Sequence, residues 1–214
     1  MQMDILIRNE TEKDFREVEE LTRQAFWNLY FPGCNEHYLV HVMRNHKDFL
    51  NEMDFVAELD GKIIGNIMYT KAWLVNEDGE EKEIICFGPV SVLPEFQHKG
   101  VGSMLIRHTI NIAAKNNKKG IVIFGDPHNY CKHGFKSARD YNISDMNGEF
   151  PYGMLALELE GNAFSGHNWK FKYSDVYNID EKEAGEFDKS FTRKEKSYQP
   201  SQDIFSIAFR AYLK

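Results

Sequence analysis

The strongest constraint on this chain is a six-residue segment, Gln97-His98-Lys99-Gly100-Val101-Gly102, set between an apolar run and a long amphipathic stretch. The run from Ile84 to Leu93 reads as a strand interrupted by Gly88-Pro89. Proline donates nothing to a ladder, so this pair predicts a bulge or a splay. The stretch Gly100–Lys115 reads as a helix with one stripe of Val101, Met104, Leu105 and Ile112 and a second of Ile106, Ile110 and Ala113. Both of its faces are expected to be covered. Glycines in a strand-to-helix turn let the backbone approach a ligand, and the free amides of the first helical turn form an anion site that suits a pyrophosphate. Taken alone, such a pattern arises by chance in roughly one of five chains of this length, and an ordinary glycine-rich turn is its alternative. Two related motifs fail: Leu105 stands where a dinucleotide fingerprint needs its third glycine, and Gly102 is followed by Ser103-Met104 rather than by the Lys-Ser/Thr of a P-loop.

The order of elements around this segment is readable. Ile5–Arg8 suggests a strand, and Thr11 with Asp14 resembles a capping box that predicts a helix starting there, with Phe15, Val18, Leu21 and Ala25 on its apolar face. An aromatic run, Phe26-Trp27-Asn28-Leu29-Tyr30-Phe31, is broken by Pro32-Gly33 and followed by a second helix around Glu36–Arg44. Residues 54–59 and 63–69 flank Asp60-Gly61, a hairpin signal, and a turn at Asn76–Gly79 leads into the long strand. After the glycine loop and its helix, Ile121–Phe124 reads as a buried strand and Met154–Leu159 as another. Between them, Asp126-Pro127 offers a cap and a first-turn proline, and Gly134 a stop, predicting a short helix over 127–133. From about residue 162 the composition shifts, and this part reads as an appended subdomain or dimerisation element, with apolar helical spacing over Gln202–Leu213.

Several classes are excluded. A chain of 214 residues makes one full-sized domain with room for an extension, and 42% apolar with 28% charged residues argues against disorder. No apolar run approaches the roughly 20 residues of a membrane span, and the N-terminus shows no secretory signal, so the expected compartment is the cytoplasm. Three scattered cysteines, Cys34, Cys86 and Cys131, are expected to be free thiols. A net charge of −7, from 26 basic against 33 acidic residues, argues against nucleic acid as a partner. Cys34, His37 and His41, with His46 beyond, are a conceivable zinc arrangement without an evident fourth ligand, so the expectation is no metal. Cys131 and His133 point apart in a short helix and imply no nucleophile, and His108 reads as structural.

The splayed strand, the Gln97–Gly102 loop, the long helix, the buried strand and then Asn129-Tyr130-Cys131-Lys132-His133-Gly134-Phe135 together resemble the GNAT superfamily of acyl-CoA-dependent N-acyltransferases over residues 4–160. The resemblance implies an α/β fold with a mixed, mostly antiparallel central sheet flanked by helices. It divides the chain into an acetyltransferase domain, 1–160, and an extension, 161–214, packing on that domain or on a dimer partner. It implies acetyl-CoA as cofactor: the amides of His98, Lys99, Gly100, Val101, Gly102 and Ser103, with Gln97, would cradle the pyrophosphate. Val90, Ser91 and Val92 would bind the pantetheine arm like an added strand, an amide near Val90 or Val92 polarising the thioester carbonyl. Tyr130 would be the general acid for the departing thiolate. Family members often carry an aromatic residue where this chain has Asn129, counted here with the cofactor-binding positions, and another where it has His133. Phe26, Trp27, Tyr30 and Phe31 would line the acceptor pocket, though an aromatic run is as often plain core. The base stays open among Glu83, Glu95, His128 and a water wire. The implied reaction is acetyl transfer to a primary amine of a small molecule or peptide. The rival readings are a non-catalytic acyl-CoA-binding regulator and a metal-binding interaction module.

Overall fold

The computed structural model describes residues 4–214. Among the described residues, nine strands form one sheet whose main path runs β1 (Leu6–Asn9), β2 (Phe55–Leu59), β3 (Lys62–Val75), β4 (Glu81–Val92), β5 (Gly120–Phe124), β8 (Met154–Glu158) and β6 (Lys136–Ser137). Two further strands, β7 (Ile143–Ser144) and β9 (Trp169–Tyr173), pair with each other, and β9 also pairs with β3. The β2–β3 hairpin turns at Asp60 and Gly61, both in left-handed conformation, as the Asp-Gly signal demands. Neighbours on the main path are antiparallel except β4 and β5, which run parallel and are paired only at Ile85 and Ile121. Beyond that point the two strands diverge, and the gap opens beside Gly88 and Pro89. The expected splay is present.

Helices α1 (Phe15–Phe26), α2 (Glu36–Met43) and α3 (Val101–Lys115) cover the sheet. Helix α3 sits directly on β3 because residue 65 is glycine: a Cβ there would lie 3.1 Å from both Val101 Cγ1 and Leu105 Cδ1. Val101, Leu105, Ile106 and Ala113 are all buried, while His108 packs edge-on against Phe55 at 4.9 Å between ring centroids. Helix α1 begins one turn later than the capping-box reading. The Asp14 carboxylate accepts from the Thr11 amide and hydroxyl, each at 2.8 Å, and from Arg8 at 2.7 Å. It therefore closes the turn ahead of the helix, and Phe15 is the first helical residue. The outer end of β5 also departs from expectation, since Phe124 is exposed where the strand leaves the sheet.

Residues beyond 161 join this same sheet. Strand β9 pairs with β3 over four residues, from Ala72 opposite Tyr173 to Val75 opposite Lys170. The Phe164 ring fills the place of a side chain at Gly120, where a Cβ would come within 2.1 Å of it. Helix α5 (Glu181–Asp188) packs on α2, and a strap through 188–199 crosses α1 before the last helix, α6 (Pro200–Phe209). All three cysteines are unpaired. Among the described residues no helix is long and apolar enough to cross a membrane.

Candidate active site

The glycine loop presents a run of free donors. Gln97 donates its amide to the Pro94 carbonyl at 3.3 Å, and Met104 donates to Gly100 at 3.0 Å. The six amides between them, from His98 to Ser103, have no hydrogen-bond partner among the described residues. His98 and Gly100 both adopt left-handed backbone, at φ 58° and 89°, the kind of turn from which anion-binding concavities of main-chain N–H groups are built. The loop runs into the positive end of α3, with Gly100 as N-cap. Six unpaired amides at a helix N-terminus make an anion site.

One edge of β4 is free as well. Leu93 donates to Ile64 across the β3–β4 pair at 3.0 Å, so alternation turns Ser91 toward β3 and the amides of Val90 and Val92 outward, into the gap toward β5. The Val92 carbonyl already accepts from Gln97 Nε2 at 3.1 Å, a clip that holds the loop to the strand. The side chains of Ser91 and Val101 are buried, Ser91 donating to Thr22 at 3.0 Å, which leaves only their main chain to meet a ligand.

Tyr130 stands at the mouth of the gap. It ends α4 (Pro127–Tyr130), which Asp126 caps by accepting from the His128 amide. Its half-buried ring lies 5.8 Å from Phe87, the residue before Gly88, and 6.0 Å from Phe135. Gly125 makes this possible, because a Cβ there would meet the ring at 2.3 Å. Burial, with the nearby Asp126 carboxylate, pushes the Tyr130 hydroxyl well above its usual range, so it keeps its proton at neutral pH. Asn129 is exposed on the same turn.

The aromatic run divides its residues. Tyr30 is half-buried, with its hydroxyl pushed up to about 12 by burial and by the Glu36 and Asp126 carboxylates. Phe26 packs against it at 5.8 Å. Trp27 turns to the strap, donating to the Glu195 carbonyl at 2.8 Å beneath Arg23, and Phe31 is exposed. Asn28, left-handed at φ 61°, ties the run to the strap through the Glu195 carbonyl, Ser197 Oγ and the Ser197 amide.

Glu36, which the sequence reading passed over, is the acid that bears on this corner. Burial pushes its carboxyl up to about 7 against the pull of its own amide and that of Asn35. Its signal was position alone, an acid opening a helix just after the aromatic loop. Of the earlier base candidates, Glu83 sits at the far end of β4 between Lys71 and Lys118, and Glu95 is held below the ordinary carboxylate range by its own backbone amide and by Lys62 at 3.0 Å. Cys34 and His37 are buried against Asp188, and burial pushes the thiol far above its usual range, so this group is inert packing.

The family model of the Acetyltransferase (GNAT) family matches residues 22–135, from α1 through the glycine loop to the residue after Gly134. This chain belongs to the GNAT acetyltransferase family. Among GNAT relatives, the uncharacterized N-acetyltransferase YjhQ of Escherichia coli K12 is 31% identical over 124 residues, 58% of this chain and 63% of YjhQ. The uncharacterized N-acetyltransferase YhbS of the same organism is 25% identical over 65% of this chain and 78% of its own. This chain thus spans less than two thirds of YjhQ. Among solved GNAT structures, YhbS in complex with CoA superposes with a TM-score of 0.72 at 21% identity, covering 84% of this chain and 94% of that one. A GNAT family acetyltransferase from Brucella melitensis in complex with acetyl-CoA has a TM-score of 0.65 at 25% identity, covering 82% and 99%.

Proposed function

We propose that this GNAT protein transfers an acetyl group from acetyl-CoA to a primary amine of a small molecule or peptide. The carrying observation is the row of six unpartnered amides at the head of α3, beside the free edge of β4 and the Tyr130 hydroxyl. The residues present fit the cofactor: the loop amides suit its pyrophosphate, and the outward amides of Val90 and Val92 suit an extended arm lying in the gap. The complexes of YhbS with CoA and of the Brucella protein with acetyl-CoA support the same choice. Acetyl-CoA supplies an acetyl group already activated as a thioester.

The chain's own groups then have limited work. An amide of Val90 or Val92 donates toward the carbonyl oxygen and Tyr130 holds a proton for the leaving sulfur, while holding both reactants in one gap contributes most of the acceleration. We assign Glu36 to the acceptor side: its carboxylate draws the ammonium in and, with a pKa near neutrality, takes the proton that must leave before attack. The three unpaired cysteines fit a reducing compartment such as the cytoplasm.

CoA release with a panel of amines tests the reading. Tyr130→Phe is expected to lower kcat by roughly 10²–10⁴ with acetyl-CoA affinity unchanged. Acetyl-CoA binding without turnover across the panel overturns it in favour of a non-catalytic acyl-CoA-binding regulator. For the wild type, kcat/KM is expected to rise as pH passes upward through about 7, where Glu36 loses its proton. That limb should be absent in Glu36→Gln; its survival would release Glu36 from the role of base.

A further inference from the structure

An aromatic wall stands at the gap between β4 and β5, and most of it comes from residues beyond 161. The two strands pair only at Ile85 and Ile121, so three residues further along Gly88 and Phe124 lie level with each other on the two sides of the opening. Phe124 is 48% exposed there. Its ring meets two rings of β9, Phe171 at 5.9 Å and Tyr173 at 6.0 Å between centroids, the second edge-on. Tyr173, itself 42% exposed, meets Tyr177 edge-on at 6.1 Å. Tyr177 brings the wall back to Gly88: its hydroxyl donates to the Gly88 carbonyl at 3.5 Å, and a Cβ on that glycine would lie 3.9 Å from its ring. Phe171, 1% exposed, packs behind the others.

Carboxylates stand beside this wall. Asp126 follows Phe124 by two residues, and Glu36 opens α2, the helix against which Val176 and Tyr177 pack. Both acids bear on the Tyr30 hydroxyl, so they share one corner. We infer that the acceptor is a primary amine carried on an apolar ring, with its ammonium toward Glu36 and Asp126 and its ring against Phe124, Tyr173 and Tyr177. Rings held edge-on to one another offer a planar guest both faces and edges. An aminosugar would bury hydroxyls against a wall that answers with two phenols, one of them already on Gly88. A polyamine would need a second carboxylate at the far side, and Asp175, next to Tyr177 in the chain's late segment, is held by His46 at 3.0 Å and Lys47 at 3.8 Å. The inference rests on the transferase reading for its reaction, while the wall is read from the rings alone.

Acetyl-CoA turnover by the full chain with phenethylamine, n-butylamine, 1,4-diaminobutane and glucosamine tests it. The kcat/KM for phenethylamine is expected to exceed that of each ring-free amine by on the order of 10–100-fold, the worth of burying one ring. Tyr173→Ala and Phe124→Ala, both at half-exposed positions, should each cut that preference by on the order of tenfold through KM for the amine, with KM for acetyl-CoA as in the wild type. Tyr173→Phe, which keeps the ring, should retain it. A wild-type panel led by 1,4-diaminobutane or glucosamine would overturn the proposal, and so would a preference for phenethylamine that survives both alanine substitutions. If no amine is turned over, the transferase reading falls and calorimetry on the CoA-loaded protein decides the wall by itself. Phenethylamine binding more tightly than n-butylamine, and losing that advantage in Tyr173→Ala, would uphold it; equal binding of the two amines, or none, would overturn it.

Discussion

Gly100 shows how much one backbone angle can decide. At φ 89° it occupies a conformation that side chains resist, although a Cβ there would meet no atom within 4 Å, so the requirement for glycine is conformational rather than steric. Gly100→Asp is expected to abolish measurable CoA binding in calorimetry, through backbone strain and through a carboxylate beside the amides that should meet a diphosphate. Retained tight binding would move the anion site elsewhere. Tyr130 and this loop were legible in the sequence because each belongs to a contiguous motif, Gln97–Gly102 or Asn129–Phe135, whose geometry depends on neighbours a few residues away. Glu36 was not, since its raised pKa comes from burial that only the assembled α1–α2 corner provides.

The joint between α1, α2 and the C-terminal strap is built around a buried cation. Arg23 has a side chain only 1% exposed and donates to Asp188 at 2.6 Å and to the Thr192 carbonyl at 3.0 Å. His37, fully buried, lies on the same carboxylate at 3.1 Å, with Cys34 at 3.4 Å on its other nitrogen. Asp188→Asn leaves Arg23 without its counter-charge and is expected to destabilise the fold by about 3–5 kcal/mol, read as a lower Tm and denaturation midpoint. Burial also pushes the His37 imidazole down to about 4. Because the folded state refuses a proton that the unfolded chain accepts from about pH 6.5 downward, stability should be full above that pH. It should decline by roughly 3 kcal/mol as pH falls from 6.5 to 4. Urea titrations at several pH values would show it, and a flat profile would mean that His37 protonates without cost.

Across the whole molecule, the boundary near residue 161 marks a change in composition rather than a break in the sheet. The later segment supplies β9 to the edge of β3, buries Phe164, Trp169 and Phe171, and delivers Asp188 to Arg23. A chain ending at Gly161 would expose that edge and those cavities while stranding a buried guanidinium. It is expected to be insoluble or to lack near-ultraviolet circular dichroism; a folded fragment that still binds CoA would show the first 160 residues to be self-sufficient. Tyr177, from the same late segment, donates to the Gly88 carbonyl at 3.5 Å, so the extension reaches the gap between β4 and β5 itself.

Local stereochemistry spoke through the sequence. Asp60-Gly61 forced a hairpin, Gly88-Pro89 forbade a regular ladder, and Asp126-Pro127 with Gly134 bounded a short helix, because each acts through sterics and hydrogen bonds spanning a few residues. What the folded chain alone settled were the pairings across long separations: β9 beside β3, Asn28 held by Ser197 over 169 residues, and Arg23 neutralised by Asp188. An alternating apolar pattern such as Trp169-x-Phe171-x-Tyr173 says that a strand will form and which face it buries. It does not name the strand it will join, because edges offer the same backbone donors and acceptors, and the choice falls to burial and charge that exist only once the core has assembled.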